Sequence, residues 1–110
     1  MSKKLIFILA LCAASAQAQF KDGNRLHEQM KKEYGSLDWF NAIGYVTGVA
    51  DTLTNVVVCG PSGGVPASQL YDITKKYLDE NPGIRHYSAD RLIAQALGRV
   101  FPCSKKGQGL

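Results

Sequence analysis

The fold is decided by residues 37–58, which read LDWFNAIGYVTGVADTLTNVVV. Apolar residues recur here every three or four positions, which is the spacing of one face of an α-helix. Ser36 precedes the stretch and is a suitable N-cap, because its hydroxyl can accept a backbone hydrogen bond in the first turn. The sequence therefore predicts a long helix from Leu37 to about Val58. Its predicted core-facing residues are Leu37, Phe40, Ile43, Val46, Ala50, Leu53 and Val57.

Two glycines lie four residues apart within this helix, at Gly44 and Gly48. A glycine in a helix costs about 1 kcal/mol relative to alanine. A pair at this spacing therefore indicates that another backbone approaches closely. That backbone would belong either to another part of this chain or to a second copy in a homodimer.

Residues on either side predict three more helices. The first covers about 25–34 after Asn24 as its N-cap, the third runs from Pro66 to about Glu80, and the fourth follows Ser88. No segment alternates with period two over enough residues to predict a strand. The sequence therefore predicts an all-α fold, a small bundle of about four helices. The core-facing residues of the third and fourth helices should be Leu70, Ile73, Tyr77 and Leu78, and Leu92, Ile93, Ala96, Leu97 and Val100.

The N-terminus has the features of a secretory signal peptide over residues 1–18. Two lysines precede an uncharged run at 5–14, and an A-x-A cleavage site follows at 16–18. A membrane-spanning helix needs about 20 apolar residues, and this run is only about half as long. We therefore expect it to be a cleaved signal and the mature chain not to be stably inserted in a membrane. Cys12 follows Leu11 rather than a small residue, which argues against lipidation. We therefore expect export to the periplasm.

Cleavage after Ala18 would leave one domain, residues 19–110, whose polar tail at 104–110 we expect to be flexible. Loss of Lys3 and Lys4 lowers the net charge from +4 to +2, because 11 basic and 9 acidic residues remain. No basic run exceeds two residues. Nucleic-acid binders normally carry a basic patch or stripe, so the sequence predicts no nucleic-acid partner.

Two cysteines remain after cleavage, Cys59 and Cys103. An even number in an exported chain favours a disulfide, which here would join the ends of the second and fourth helices. Closing a loop of about 45 residues contributes about 4 kcal/mol in the chain-entropy model. The two cysteines with only His27 and His86 make a poor zinc set, so no metal and no cofactor are predicted.

An ordered set of residues carries a resemblance to a known family. The set is Gly44-Tyr45-Val46-Thr47-Gly48-Val49-Ala50-Asp51, Cys59, Pro66-x-x-Gln69, Lys76-Tyr77-Leu78, Asn81-Pro82, Arg85-His86 and Phe101-Pro102-Cys103. With these spacings the chain resembles the Rap/Tai family of periplasmic immunity proteins against type VI secretion amidases, from about residue 23 to residue 103.

The resemblance implies a small all-α protein, often a homodimer, that occludes the active-site cleft of a peptidoglycan amidase. It implies protection of the producing cell and its sisters from that toxin. Many members also carry a second cysteine pair, which would fall near Met30 and Ala42 in this sequence. Both cysteines are absent here, so the first helix lacks that covalent tie.

The sequence predicts that the chain is not an enzyme. A Cys-His nucleophile pair needs a free thiol, and a bridge between Cys59 and Cys103 leaves none. Ser62 lies in a glycine-rich loop, but neither the preceding strand nor the nearby histidine of a nucleophile turn is present.

Partner contacts are predicted at three places. The connection before the fourth helix collects side-chain types that are favoured in interfaces, and the glycine-rich loop could enter a narrow cleft. Charges on the third helix would form a polar rim. The candidate residues are Arg85, His86 and Tyr87 in the connection, Ser62 and Gly63 in the loop, and Asp72 and Lys75 on the helix. For the connection, the alternative is that Arg85 and His86 cap the preceding helix or bind Asp51.

Other residues are predicted to have structural roles. We expect Asp51 to pair with Arg85 or Arg91 and to lock the helices together, since an unpaired buried carboxylate is costly. The alternative is that Asp51 faces a partner. Tyr45 and Tyr77 are expected to pack between helices.

Two further classes of function remain open at this point. One is a periplasmic stress chaperone, or holdase, that exposes apolar surface at low pH. The other is an exported, non-enzymatic assembly factor of the cell envelope. Protection of client proteins at low pH would identify the first, and co-purification of an envelope complex would identify the second.

Overall fold

A computed structural model of the chain describes residues 20–60 and 64–104. The predicted signal peptide, Ser62, Gly63 and most of the predicted tail lie outside these residues. Four α-helices and one short 3-10 helix form the described fold: α1 Gly23–Met30, α2 Leu37–Leu53, α3 Ala67–Glu80, the 3-10 helix Pro82–Ile84, and α4 Ala89–Val100. The described residues contain isolated β-bridges but no strand. The predicted all-α class is confirmed.

The core lies where the four helices meet, and each helix contacts the other three. Leucines and a valine from all four helices are fully buried there. Burial of such a side chain contributes about 1.5–3 kcal/mol, so these residues supply much of the stability. The fully buried residues include Leu26, Val46, Leu78, Leu92 and Leu97. None of the described helices is both long and apolar enough to cross a bilayer.

Helix α1 begins and ends earlier than its predicted bounds of about 25–34. Its N-cap is Asp22 rather than Asn24, because the Asp22 carboxylate accepts a hydrogen bond of 2.8 Å from the Arg25 amide. Gly23 follows the cap, where a Cβ atom would lie 2.7 Å from the Arg85 carbonyl oxygen. Only glycine allows this close approach between α1 and the connection before α4.

Helix α2 ends at Leu53 rather than near Val58, so the predicted extension was wrong. The Leu53 carbonyl accepts hydrogen bonds from the amides of Val56, Val57 and Val58, at 3.0 to 3.1 Å, in a tight turn. Asn55 has a φ of 65° in this turn. Asparagine adopts this left-handed conformation more readily than β-branched residues do, which explains why the helix stops before the valines.

Three residues predicted to face the core from 37–58 are exposed instead. Leu37 is 90% exposed, Phe40 58% and Val57 39%. The buried side of α2 carries Ala42, Val46 and Ala50, with Ile43 and Leu53 packed beside them. Leu37 and Phe40 lie on the opposite side of a 3.6-residue helix. Val100 at the end of α4 is also exposed, whereas the other predicted core residues of that helix are buried.

Packing and hydrogen bonds hold the first helix in place. Met30 and Ala42, near which the resemblance would place a second cysteine pair, are both buried in the core. The Tyr71 hydroxyl donates a 2.9 Å hydrogen bond to the Met30 carbonyl. At the other end of α1, the amide of Gly23 donates to the carbonyl of Tyr87 at 2.9 Å. These contacts fix both ends of α1 without a disulfide in that helix.

The predicted disulfide between Cys59 and Cys103 is confirmed, with the two Cα atoms 4.9 Å apart. It joins the segment after α2 to the segment after α4. The Cys59 amide also donates a 2.8 Å hydrogen bond to the Phe101 carbonyl, and Val58 forms a β-bridge with Pro102. The disulfide and this backbone pairing together fix the C-terminal ends of α2 and α4.

Replacing both Cys59 and Cys103 with serine should lower the free energy of unfolding by about 2–4 kcal/mol. Without the disulfide, the unfolded chain is no longer closed into a loop and gains conformational entropy. Urea denaturation followed by circular dichroism measures the change. Reductant should bring the unmodified protein to the stability of the double variant and should leave the variant unchanged. Equal midpoints for the oxidised protein and the variant would contradict the prediction.

Candidate functional site

Arg85, a predicted partner contact, turns back onto helix α3. Its Nε donates to the Leu78 carbonyl at 2.7 Å, and its Nη2 donates to the Asp79 carbonyl at 3.2 Å. These carbonyls belong to the last turn of α3, where cations also complement the helix dipole. The structure therefore favours the alternative for Arg85, namely that it caps the preceding helix. Ile84 beside it packs against the core.

The next two residues of the connection, His86 and Tyr87, are exposed. Their ring centroids lie 4.5 Å apart, and the Arg91 guanidinium lies 4.7 Å from the centroid of the Tyr87 ring. We call these three residues the His86 patch. Two aromatic rings in contact and a guanidinium supply apolar area and hydrogen-bond donors together, a combination favoured at protein interfaces.

The two charged residues predicted for the polar rim on α3 differ in their surroundings: Asp72 faces solvent, and Lys75 is hydrogen-bonded within the domain. Lys75 donates a 3.0 Å hydrogen bond to Asp79, whose other carboxylate oxygen lies 2.6 Å from Nε2 of the buried His27. Asp79 thereby links α1 to α3. The hydrogen bonds from His27 and then Lys75 hold the pKa of Asp79 below its ordinary value of 3.8.

The predicted ion pair of Asp51 with Arg85 or Arg91 does not form. Arg85 caps α3, Arg91 lies over Tyr87, and Asp51 is exposed without an ion pair to any described residue. The pairing prediction rested on burial of Asp51. Because the carboxylate reaches solvent, no partner within the chain is needed to offset its desolvation.

Tyr77 contacts a second helix, and Tyr45 packs against the core. Tyr77 is buried, and its hydroxyl donates a 2.9 Å hydrogen bond to Gln95 of α4. Tyr45 is half-buried, and the Lys21 ammonium lies 4.6 Å from the centroid of its ring. Burial, followed by the nearby Asp90 carboxylate, raises the pKa of Tyr45.

Gly44 and Gly48 lie on the exposed side of α2. A Cβ atom at either position would meet no other atom within 4 Å. The close approach of another backbone from within the described chain is therefore absent, and that half of the prediction was wrong. A second copy remains the predicted reason for this glycine pair.

A cleft of about 460 Å³ lies at the C-terminal end of α2. Its apolar lining comes from the core side of the turn after α2, from α3 and from the segment after α4. Its polar lining comes from α2 and the turn. We call it the Asp51 cleft, and its principal lining residues are Asp51, Thr54, Asn55, Val58, Leu70 and Phe101.

Sequence reasoning missed two contacts of these sites, Arg91 with Tyr87 and His27 with Asp79. Tyr87 precedes the N-cap Ser88 and Arg91 lies in the first turn of α4, so the short distance between them along the chain was the available signal for their contact. His27 and Asp79 are 52 residues apart, and no local signal predicts their contact. Within the described residues, no cluster of histidine, cysteine and acidic side chains is arranged to hold a metal ion.

The fold and these surfaces are typical of a small disulfide-bridged binding domain. The comparison with known families gives a more particular assignment, because the model of the Rap1a immunity proteins matches residues 8–103. The chain belongs to the Rap1a immunity protein family. No curated protein matches the chain. Family membership supports a role in immunity against a toxin and favours binding over catalysis.

Asp79→Asn should lower stability at about pH 5, because the amide cannot replace both interactions of the carboxylate. A folded-state pKa below the unfolded value means that this contribution is present above the unfolded pKa. It is lost as the pH falls through the folded pKa, below 3.8. The stability difference between the two proteins should therefore shrink below that pH in urea denaturation.

The control is Asp72→Asn, which removes an exposed carboxylate from the same helix. It should change stability little at any pH. A difference between the wild-type and Asp79→Asn proteins that stays constant down to strongly acidic pH would argue against the proposed role of the Asp79 contacts.

Proposed function

We propose that this chain is a periplasmic immunity protein that binds a peptidoglycan amidase delivered by type VI secretion and blocks its active site. Membership of the Rap1a immunity protein family carries the proposal. The signal-peptide pattern of residues 1–18 and the Cys59–Cys103 disulfide support an oxidising compartment outside the cytoplasm. The periplasm is also where a cell-wall amidase meets its substrate.

Inhibition would be non-covalent and would require no cofactor. The immunity protein covers the substrate cleft of the amidase, so that the peptide crosslinks cannot reach its Cys-His pair. A few desolvated anchor residues supply most of the affinity in such interfaces, and tyrosine and arginine are enriched among them. The His86 patch offers both residue types on a connection that is fixed between α3 and α4.

The contact surface that we propose is centred on His86, Tyr87 and Arg91. Ser62 and Gly63 of the glycine-rich loop remain proposed contacts, and Asp72 supplies an exposed charge at the rim. Lys75 is hydrogen-bonded to Asp79, so binding through Lys75 would compete with that contact. Arg85 acts as a positioning residue, because it fixes the connection by capping α3.

We also propose that the exposed side of α2 joins two copies in a homodimer. Leu37 and Phe40 are exposed apolar residues at its N-terminal end, and Gly44 and Gly48 continue the same side. The absence of side chains at the glycines leaves a flat surface that a second helix can approach. Covering this side would remove two large apolar side chains from water.

The oxidised fragment 19–110 should abolish crosslink cleavage by its cognate type VI secretion amidase at equimolar ratio. His86→Ala combined with Tyr87→Ala should weaken inhibition about tenfold or more, since loss of interface anchors costs more than about 1.4 kcal/mol. Cleavage of purified peptidoglycan in the presence of increasing inhibitor measures both effects.

Tyr34→Ala is the matched control, because it removes an exposed tyrosine ring outside the His86 patch. It should inhibit like the unmodified chain. Undiminished cleavage by an active amidase in the presence of the unmodified fragment would refute the proposed function for this toxin. Protection of aggregating client proteins at low pH would then favour the chaperone class.

The dimer should dissociate when Gly44→Arg and Gly48→Arg are combined, because two long charged side chains would occupy the proposed contact. Sedimentation equilibrium measures the oligomeric state. Gly48→Ala alone should raise the free energy of unfolding of the monomer by about 0.5–1 kcal/mol, since alanine favours a helix and nothing crowds its Cβ. For the arginine variant, the control is Ser68→Arg at an exposed position of α3, which should leave the oligomeric state unchanged. A monomeric unmodified chain would disprove the dimer.

A further inference from the structure

The Asp51 cleft has a fixed apolar floor. Val58 is buried, and Leu70 and Phe101 pack against the core. The Cys59–Cys103 disulfide and the hydrogen bond from the Cys59 amide to the Phe101 carbonyl lie directly beside this floor. The floor of the cleft is therefore held in place before any partner binds, which lowers the entropic cost of binding to it. Its volume of about 460 Å³ is within the usual range of binding pockets.

The charge at the mouth of the cleft has no counterpart in the described chain. Asp51 lies in the last turn of α2, which contains no basic residue. The C-terminal end of a helix carries partial negative charge, so an acidic side chain there is unfavourable and a cation is favoured. The carboxylate and the helix end therefore both attract a positive group, although the chain as a whole carries net positive charge.

Acceptor oxygens surround this carboxylate. The Thr54 hydroxyl donates to the Ala50 carbonyl at 2.9 Å, which leaves the lone pairs of its oxygen available to accept. The Asn55 side chain lines the same mouth. A polar, negative mouth above an apolar floor suits a side chain with a long alkyl stem and a cationic head, and arginine has both.

We propose that the Asp51 cleft receives an arginine side chain of the toxin, with the stem on Val58, Leu70 and Phe101 and the guanidinium against Asp51. This inference rests on the proposed function, because it names the chemistry by which the toxin is recognised. The contact lies beyond the C-terminal end of α4, whereas the His86 patch lies at its N-terminal end. A helix of 12 residues spans about 18 Å, so the two contacts are separate.

Asp51→Asn tests the contact, because it removes the charge and keeps the size of the side chain. The affinity for the amidase should fall about tenfold or more, as expected for loss of a charge-assisted hydrogen bond. Calorimetric titration of the amidase measures this. The thermal midpoint of the free variant should stay unchanged or rise, since a charge that opposes the helix dipole is lost. A lower midpoint with unchanged affinity would overturn the inference.

Glu33→Gln is the matched control, since Glu33 is an exposed carboxylate between α1 and α2. Its affinity should equal that of the unmodified chain. Raising the salt concentration should weaken the unmodified complex more than the Asp51→Asn complex. Salt screens the proposed ion pair with Asp51, which only the unmodified complex contains. If Asp51→Asn instead dissociates a homodimer, a second copy occupies the cleft and the inference is wrong.

A small probe tests the cleft without the toxin. N-acetyl-arginine amide at tens of millimolar should shift the backbone amide signals of Thr54, Asn55 and Val58 in NMR spectra. The citrulline analogue, which has the same shape without the charge, should not, and Asp51→Asn should abolish the arginine effect. Absence of these shifts, or equal shifts with citrulline, would overturn the inference.

The outcomes separate this inference from the proposed function. If the unmodified chain does not inhibit the amidase but the arginine probe binds the cleft, the proposed function fails for that toxin and the cleft chemistry stands. If the unmodified chain inhibits and Asp51→Asn binds the amidase with equal affinity, the proposed function stands and the arginine contact is disproved.

Discussion

The pairing of the chain segments that follow α2 and α4 is the constraint on which the rest of the structure depends. The Cys59–Cys103 disulfide and the adjacent hydrogen bond between Cys59 and Phe101 hold these segments together. Without them, the turn after α2 would have little to pack against, because it is short and contains exposed valines. The same junction supplies Val58 and Phe101 to the Asp51 cleft. The covalent bond that stabilises the domain therefore also shapes this cleft.

A second junction, at the other end of α4, acts without a covalent bond. The carbonyls of Arg85 and Tyr87 accept hydrogen bonds from the start of α1, while the Arg85 side chain caps α3. Gly23 lets the two backbones approach closely enough for this. The connection that presents His86 and Tyr87 is thus held from both sides by its own backbone. Its exposed side chains can vary with the partner while the backbone contacts keep the domain folded.

The sequence predicted what depends on local periodicity and on cysteine number. The bounds of α3 and α4 agree with their caps and breakers, and Cys59 pairs with Cys103 as expected. It did not predict what depends on tertiary packing. Helix α2 is apolar on two sides, so periodicity alone could not tell that Leu37 and Phe40 face outward. The contact of His27 with Asp79, and the free carboxylate of Asp51, depend on the arrangement of whole helices and leave no local pattern.

The departures from local rules collect on one element. Helix α2 keeps two glycines that nothing in the described chain requires, exposes Leu37 and Phe40, and places Asp51 where the helix dipole opposes it. The glycines and the carboxylate each lower the stability of the isolated domain, and the exposed side chains leave apolar surface in water. Natural sequences usually violate such rules at functional surfaces, where a partner supplies the missing contact. The outward side of α2 is therefore better explained as a surface made for other molecules than as the solvent face of the bundle.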